Sequence, residues 1–164
     1  MTELLGKSLP ELQEVVTAGG FPKFRAKQVM DYLYKRYIFD FEAMLQLPAP
    51  MRQWLSENCT VSLPKIVTEK TAPDGNTKKL LLELADGNRI ETVLMKQHYG
   101  NSICVSSQVG CAMGCVFCAS TTGGLFRNLE VHEIISQVLL FASLIGERIH
   151  SIVVMGAGEP LQNY

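Results

Sequence analysis

Three cysteines crowd into Cys111-Ala112-Met113-Gly114-Cys115-Val116-Phe117-Cys118, and this C-x3-C-x2-C run constrains the chain more than any other feature. Thiolates this close together want a metal, and Gly110 and Gly114 let the backbone fold around a compact guest. A structural zinc takes four ligands, whereas a cubane four-iron cluster can be held by three cysteines with one iron open to a non-protein ligand. Spacing alone leaves two plainer alternatives: a zinc loop completed by Cys104 or His132, and simple buried cysteines. The total of 5 cysteines is odd, and four lie between Cys104 and Cys118, which suits metal ligation in a reducing compartment better than a disulfide framework.

The rest of the chain is ordinary globular sequence. Its 164 residues are 47% hydrophobic and 19% charged, enough to bury a core, and the net charge of -1 gives no overall signature for DNA or an acidic membrane surface. Val138 to Ile145, the longest nearly apolar run, falls far short of the roughly 18 residues that cross a bilayer, and the N-terminus has no signal-peptide pattern. The expectation is a cytoplasmic protein with no membrane and no DNA partner.

Residues 1–60 read as a helical accessory domain. Ser8, Pro10 and Glu11 resemble a helix start, with Leu9, Leu12, Val15 and Val16 at helical spacing and Gly19-Gly20 as a stop. A second helix is expected from Phe24 to Tyr37 and a third from Pro50 to Asn58. Residues 61–98 read as a β-meander linker, with strands at Ile66 to Thr71, Lys79 to Leu84 and Arg89 to Met95 between turns rich in Asp, Asn and Gly. From residue 99 to 164 the pattern is strand (Ile103 to Ser107), Gly/Cys-rich loop (Gly110 to Gly124), helix (Glu130 to Ile145) and strand (Ile149 to Met155). That order is the opening of an α/β fold. Gly156-Ala157-Gly158-Glu159-Pro160 follows the last strand, where ligand crevices of such folds open.

Cys111, Cys115 and Cys118, with Phe117 just before the third cysteine, resemble the signature of the radical S-adenosylmethionine superfamily, and Gly158-Glu159-Pro160 resembles its GGE-type element. The longer stretches Ile103 to Cys111, Gly124 to Leu129 and Met155 to Leu161 are similar to the RlmN/Cfr family of radical RNA methyltransferases, as is Phe24 to Val29 in the accessory region. The resemblance implies a [4Fe-4S] cluster on Cys111, Cys115 and Cys118. It implies S-adenosylmethionine held near Phe117 by the strand-end backbone at Gly158 and the carboxylate of Glu159, and the first β-α-β portion of a partial (β/α) barrel. It implies methylation of C2 of an adenosine in 23S rRNA and in some tRNAs, C8 being the product of the Cfr-type branch, with an external electron donor. A distal cysteine carries the methyl group in that family. Cys104 matches the second cysteine, which resolves the protein–RNA adduct and is left in a disulfide with the first, and Glu91 matches the proposed proton acceptor.

Without the resemblance, Cys104 would read as a strand cysteine facing the core and Glu91 as a solvated strand carboxylate. Members of the family are roughly twice this length and carry the methyl-bearing cysteine near the C-terminus, which Cys59 does not match. The expectation is therefore a truncated chain, inactive unless another polypeptide supplies the missing half. Lys23, Arg25, Lys27, Lys35 and Arg36 against Asp31, interleaved with Phe24, Tyr32, Tyr34 and Tyr37, suit RNA phosphate and base contact. The rival readings are a zinc-stabilised RNA-binding module and a different radical enzyme, such as a glycyl-radical activase.

Overall fold

A computed structural model describes residues 1–164, which form two compact units, Met1–Ser62 and Leu63–Tyr164. In the first unit, α1 (Leu9–Ala18) starts where the Glu11 carboxylate accepts the Ser8 N–H at 2.7 Å, and it buries Leu12 and Val16. Gly19 ends it against the Trp54 indole; a Cβ there would lie 2.7 Å from Trp54 Cε2. Helix α2 (Arg25–Tyr34) buries Ala26, Val29, Tyr32 and Leu33, and α3 (Ala49–Asn58) buries Met51 and Leu55. Two short parallel strands, β1 (Thr2–Glu3) and β2 (Cys59–Thr60), close this unit.

The second helix is shorter than the sequence suggests. It stops at Tyr34 because the chain turns at Tyr37, which adopts a left-handed φ of 54°, and the Arg36 and Ile38 N–H groups bond back to the carbonyls of Asp31 and Tyr32. The aromatic residues of this segment are mostly structural. Tyr32 is buried and its hydroxyl accepts from Gln46 N at 2.8 Å, while Tyr34 accepts from Gly6 N at 2.9 Å, leaving Phe24 as the bare ring beside Arg25.

In the second unit, strands β3 (Lys65–Thr71), β4 (Thr77–Glu83), β5 (Arg89–Gln97) and β6 (Gly100–Cys104) pair antiparallel. The last strand, β9 (Ile149–Val153), then adds parallel to β6. The three-part division read from the sequence gives way here to two parts. The meander is no linker, because β5 continues through the turn before Gly100 into β6, placing all five strands in one sheet. Between β6 and β9 the chain forms a small hairpin, β7 (Gln108–Gly110) and β8 (Leu125–Asn128), then α4 (Val131–Ile145).

Side chains alternate across each strand, and this sorts the sheet into two faces. Leu80, Leu82, Ile90, Leu94 and Ile103 point one way and form the core with Phe141 and, partly buried, Ile134 and Val138 of α4. Burying a Leu or Phe side chain contributes about 1.5–3 kcal/mol, so this one-sided apolar set fixes the register of the sheet and seats α4 on it. The opposite face carries Lys79, Glu91, Val93 and Cys104 and is open. No helix in the chain is long and apolar enough to cross a membrane.

Candidate active site

The register of the open face decides which candidate groups meet. Val93 on β5 lies opposite Cys104 on β6, and Glu91 is two residues along β5 on the same face. Glu91 and Cys104, which the sequence separates by a turn and two strands, thereby line one cleft of about 590 Å³. Cys118, Gly110, Met155, Gly156 and Ala157 complete its wall, together with Arg89, Ile90, Val93, Ala119 and Ser120.

Of the other sequence candidates, Cys111, Cys115, Phe117, Gly158 and Glu159 are not in this wall, and Cys118 is. Cys111 is buried at the start of the loop that joins β7 to β8, Cys115 is exposed and Cys118 is half-buried. The loop bends through three left-handed glycines, Gly110, Gly114 and Gly124, with φ of 74°, 66° and 71°. Gly110 admits no side chain, since a Cβ would collide with the Gly124 carbonyl oxygen, and Cys111 N donates to that same oxygen at 3.0 Å. Cys118 N closes a turn onto Cys115 O at 3.0 Å. Phe117 is 90% exposed and Val116 is fully exposed, an unusual display of apolar side chains between cysteines.

No three Cys, His, Asp or Glu side chains stand at mutual metal-ligating distances. The donor chemistry nonetheless fits an iron–sulfur cluster: three soft thiol donors lie on one loop whose bends are set by glycine. All five cysteines are free.

The motif loop after β9 is pressed onto the segment after β6. Gly158 has a φ of 107°, and a Cβ there would lie 2.6 Å from Gln108 Cβ and 2.7 Å from Ser107 Oγ. Gln108 Oε1 accepts the Glu159 N–H at 2.8 Å, while the Glu159 carboxylate accepts from Leu161 N at 3.0 Å. Ser107 Oγ is buried beside Gly158 with no hydrogen-bond partner, an orphaned polar atom of the sort that ligands or ordered waters usually satisfy.

Sequence reasoning missed Ser106. Fully buried, its hydroxyl donates to the Glu91 carbonyl at 2.7 Å and accepts the Ala157 N–H at 3.0 Å, so one side chain ties two walls of the cleft together. Gln137 of α4 holds Ser106 in turn: its Oε1 accepts Ser106 N at 2.9 Å and its Nε2 donates to Ser106 O at 3.0 Å. No local pattern marks this serine, because its partners are 15, 31 and 51 residues away.

Comparisons with known proteins agree with this picture. Residues 2–61 match the Ribosomal RNA large subunit methyltransferase N-terminal domain. The whole chain is 49% identical to a protein of Clostridium perfringens named "Probable dual-specificity RNA methyltransferase RlmN", covering 47% of it. It is 47% identical over 163 residues to the protein of the same name from Symbiobacterium thermophilum, covering 44% of that one. A crystal structure of a radical SAM methyltransferase from Sphaerobacter thermophilus superposes with a TM-score of 0.92 at 40% identity, over all of this chain and 49% of the other. The chain spans about half the length of the curated relatives it matches. In its N-terminal domain match, its level of identity and its α/β framework, the chain is similar to the N-terminal half of proteins named RlmN and of a radical SAM methyltransferase.

Proposed function

We propose that this chain is the cluster-binding half of a methyltransferase that modifies C2 of an adenosine in 23S rRNA and in tRNA. The observation that supports this best is the shared cleft, in which Glu91, Cys104 and Cys118 meet the backbone of Gly156 and Ala157. Cys111, Cys115 and Cys118 hold a [4Fe-4S] cluster, and Phe117, Gly158 and Glu159 hold S-adenosylmethionine. When bound, the two supply one-electron chemistry that a carbon as electrophilic as adenine C2 requires. An external donor provides the electron.

The chain's own residues bind, orient and move protons. Gly156 and Gly158 let the strand-end backbone pack on Val105 to Gln108, where a Cβ at either position would collide, and the carbonyls of that strand end are acceptors for an ammonium group. Glu91, 55% exposed at its side chain and paired with Lys79 at 2.8 Å, takes a proton from an adenine presented in the cleft once that pair opens. Cys104, one strand over, supplies the thiol that resolves the bond between protein and RNA. The cysteine that carries the methyl group has no counterpart among these residues. Cys59 is unsuited to that role, because burial pushes its thiol pKa up and it sits in the first unit. Methyl transfer therefore needs a polypeptide stretch that contributes this cysteine.

The test is anaerobic reconstitution with iron and sulfide, followed by electron paramagnetic resonance with and without S-adenosylmethionine. Wild-type protein is expected to bind iron and to change its spectrum on adding the nucleotide, and Cys118→Ala to lose the cluster. Stoichiometric zinc with refusal of iron overturns the proposal. With the methyl-bearing segment supplied, nucleoside analysis of treated RNA is expected to give 2-methyladenosine, and 8-methyladenosine would move the chain to the other branch.

A further inference from the structure

The open face of the sheet does not end at the cleft. One cross-strand row runs Val153, Cys104, Val93, Lys79, Lys70, each residue opposite the next through β9, β6, β5, β4 and β3. Neighbouring strands are about 4.8 Å apart, so Lys79 and Lys70 lie roughly 10 and 14 Å outward from the Cys104 strand. Beside them the row Thr68, Leu81, Glu91 completes a shallow cavity of about 230 Å³ lined by Thr68, Lys70, Lys79, Leu81 and Glu91. This cavity and the larger cleft share Glu91.

Its charges are arranged unevenly. Lys79 Nζ is 2.8 Å from Glu91 Oε1 in a solvent-exposed pair, the kind that contributes little stability, and Lys70 is exposed and makes no ion pair. The neighbouring Lys78 points to the other face and pairs with Glu69 at 2.7 Å. A cavity with two ammonium groups and a hydroxyl, opening into a cleft fit for a base, matches the backbone of a single-stranded RNA whose target nucleotide is turned out of its stack.

We infer that Lys70 and Lys79 form a phosphate subsite for the RNA strand that carries the reacting adenine. The inference rests on the function proposed above and adds where the strand lies. Phosphate and the Glu91 carboxylate compete for Lys79, so arrival of RNA exchanges one anion for another and releases Glu91 towards the cleft. Before RNA arrives, Lys79 keeps the carboxylate turned along the sheet.

Binding of a fluorescent hairpin RNA with an unpaired adenine, measured by anisotropy at several salt concentrations, tests this. Each phosphate neutralised on a single strand contributes about 0.7 to the slope of log affinity against log salt, so Lys70→Gln with Lys79→Gln is expected to flatten it by about 1.4. Lys78→Gln is expected to leave the slope unchanged. Glu91→Gln is expected to tighten binding several-fold by removing the competing anion, an effect that a purely orienting Lys79 would not produce. RNA binding by the wild type with the same slope in the double variant overturns the subsite and leaves the proposed function standing. Absence of RNA binding in wild-type protein, with the cluster also missing, overturns both.

Discussion

Ser106 carries more of the site's geometry than its size suggests. Replacing it with alanine removes the hydroxyl that the partly buried Glu91 carbonyl and Ala157 N–H share. At about 0.5–1.5 kcal/mol for each lost hydrogen bond, Ser106→Ala is expected to cost roughly 1–3 kcal/mol. Urea denaturation checks this against Ser136→Ala, whose hydroxyl bonds only the Glu133 carbonyl of its own helix and whose loss is expected to cost about 1 kcal/mol or less. The contrast explains what the sequence discloses about the site. Cys111, Cys115 and Cys118 are legible because their chemistry depends on spacing within one loop. Ser106 and Gln108 are not, because their meaning depends on Ala157 and Glu159, which only folding brings near. Glu91 and Cys104 were singled out through resemblance alone, and the sheet register brings the two to one cleft.

At the scale of elements, β8 is held by Arg127, whose guanidinium reaches Asp86 at 2.7 Å on the β4–β5 turn and Glu133 at 2.7 and 2.8 Å at the start of α4. The Arg127 hydrogen bond, with help from Asn88, holds the Asp86 carboxyl far below the usual carboxylate range. Burial pushes Glu133 upward, but Arg127 and the Glu130 N–H prevail and leave it below its ordinary value. Both groups bind protons less readily when folded, so their stabilisation is complete above about pH 5.5 and is lost as pH falls through the unfolded and then the folded-state values. The melting-temperature gap between wild type and Arg127→Gln is therefore expected to be full at pH 7 and to close progressively on acidification below about pH 5, followed by circular dichroism. The helices and long strands were legible from hydrophobic period. The β7–β8 hairpin was not, because Leu125–Asn128 shows no alternation and pairs across a whole loop, with a register shift at Gly110.

For the whole molecule, the sequence shows a helical composition giving way to β-rich segments after residue 60, and the compact units of the structure divide at Ser62. It does not disclose that the meander and the β-α-β opening share one sheet, since that depends on pairing β5 with β6. The same sheet leaves β9 at an edge, with Ile152 at 53% and Met155 at 81% exposure. Unpaired edges with bare apolar residues promote association. Light scattering on a dilution series is expected to show concentration-dependent self-association, relieved by Ile152→Lys, and a compact monomer at all concentrations would contradict it.

The double grip of Gln137 on Ser106 makes α4 a splint for a crevice on the far side of the sheet. Damage to that crevice can thus come from behind, through a residue that is not part of its lining. Gln137→Leu is expected to quicken amide hydrogen exchange at Ser106 and Ala157 while the far-ultraviolet circular dichroism stays that of the wild type.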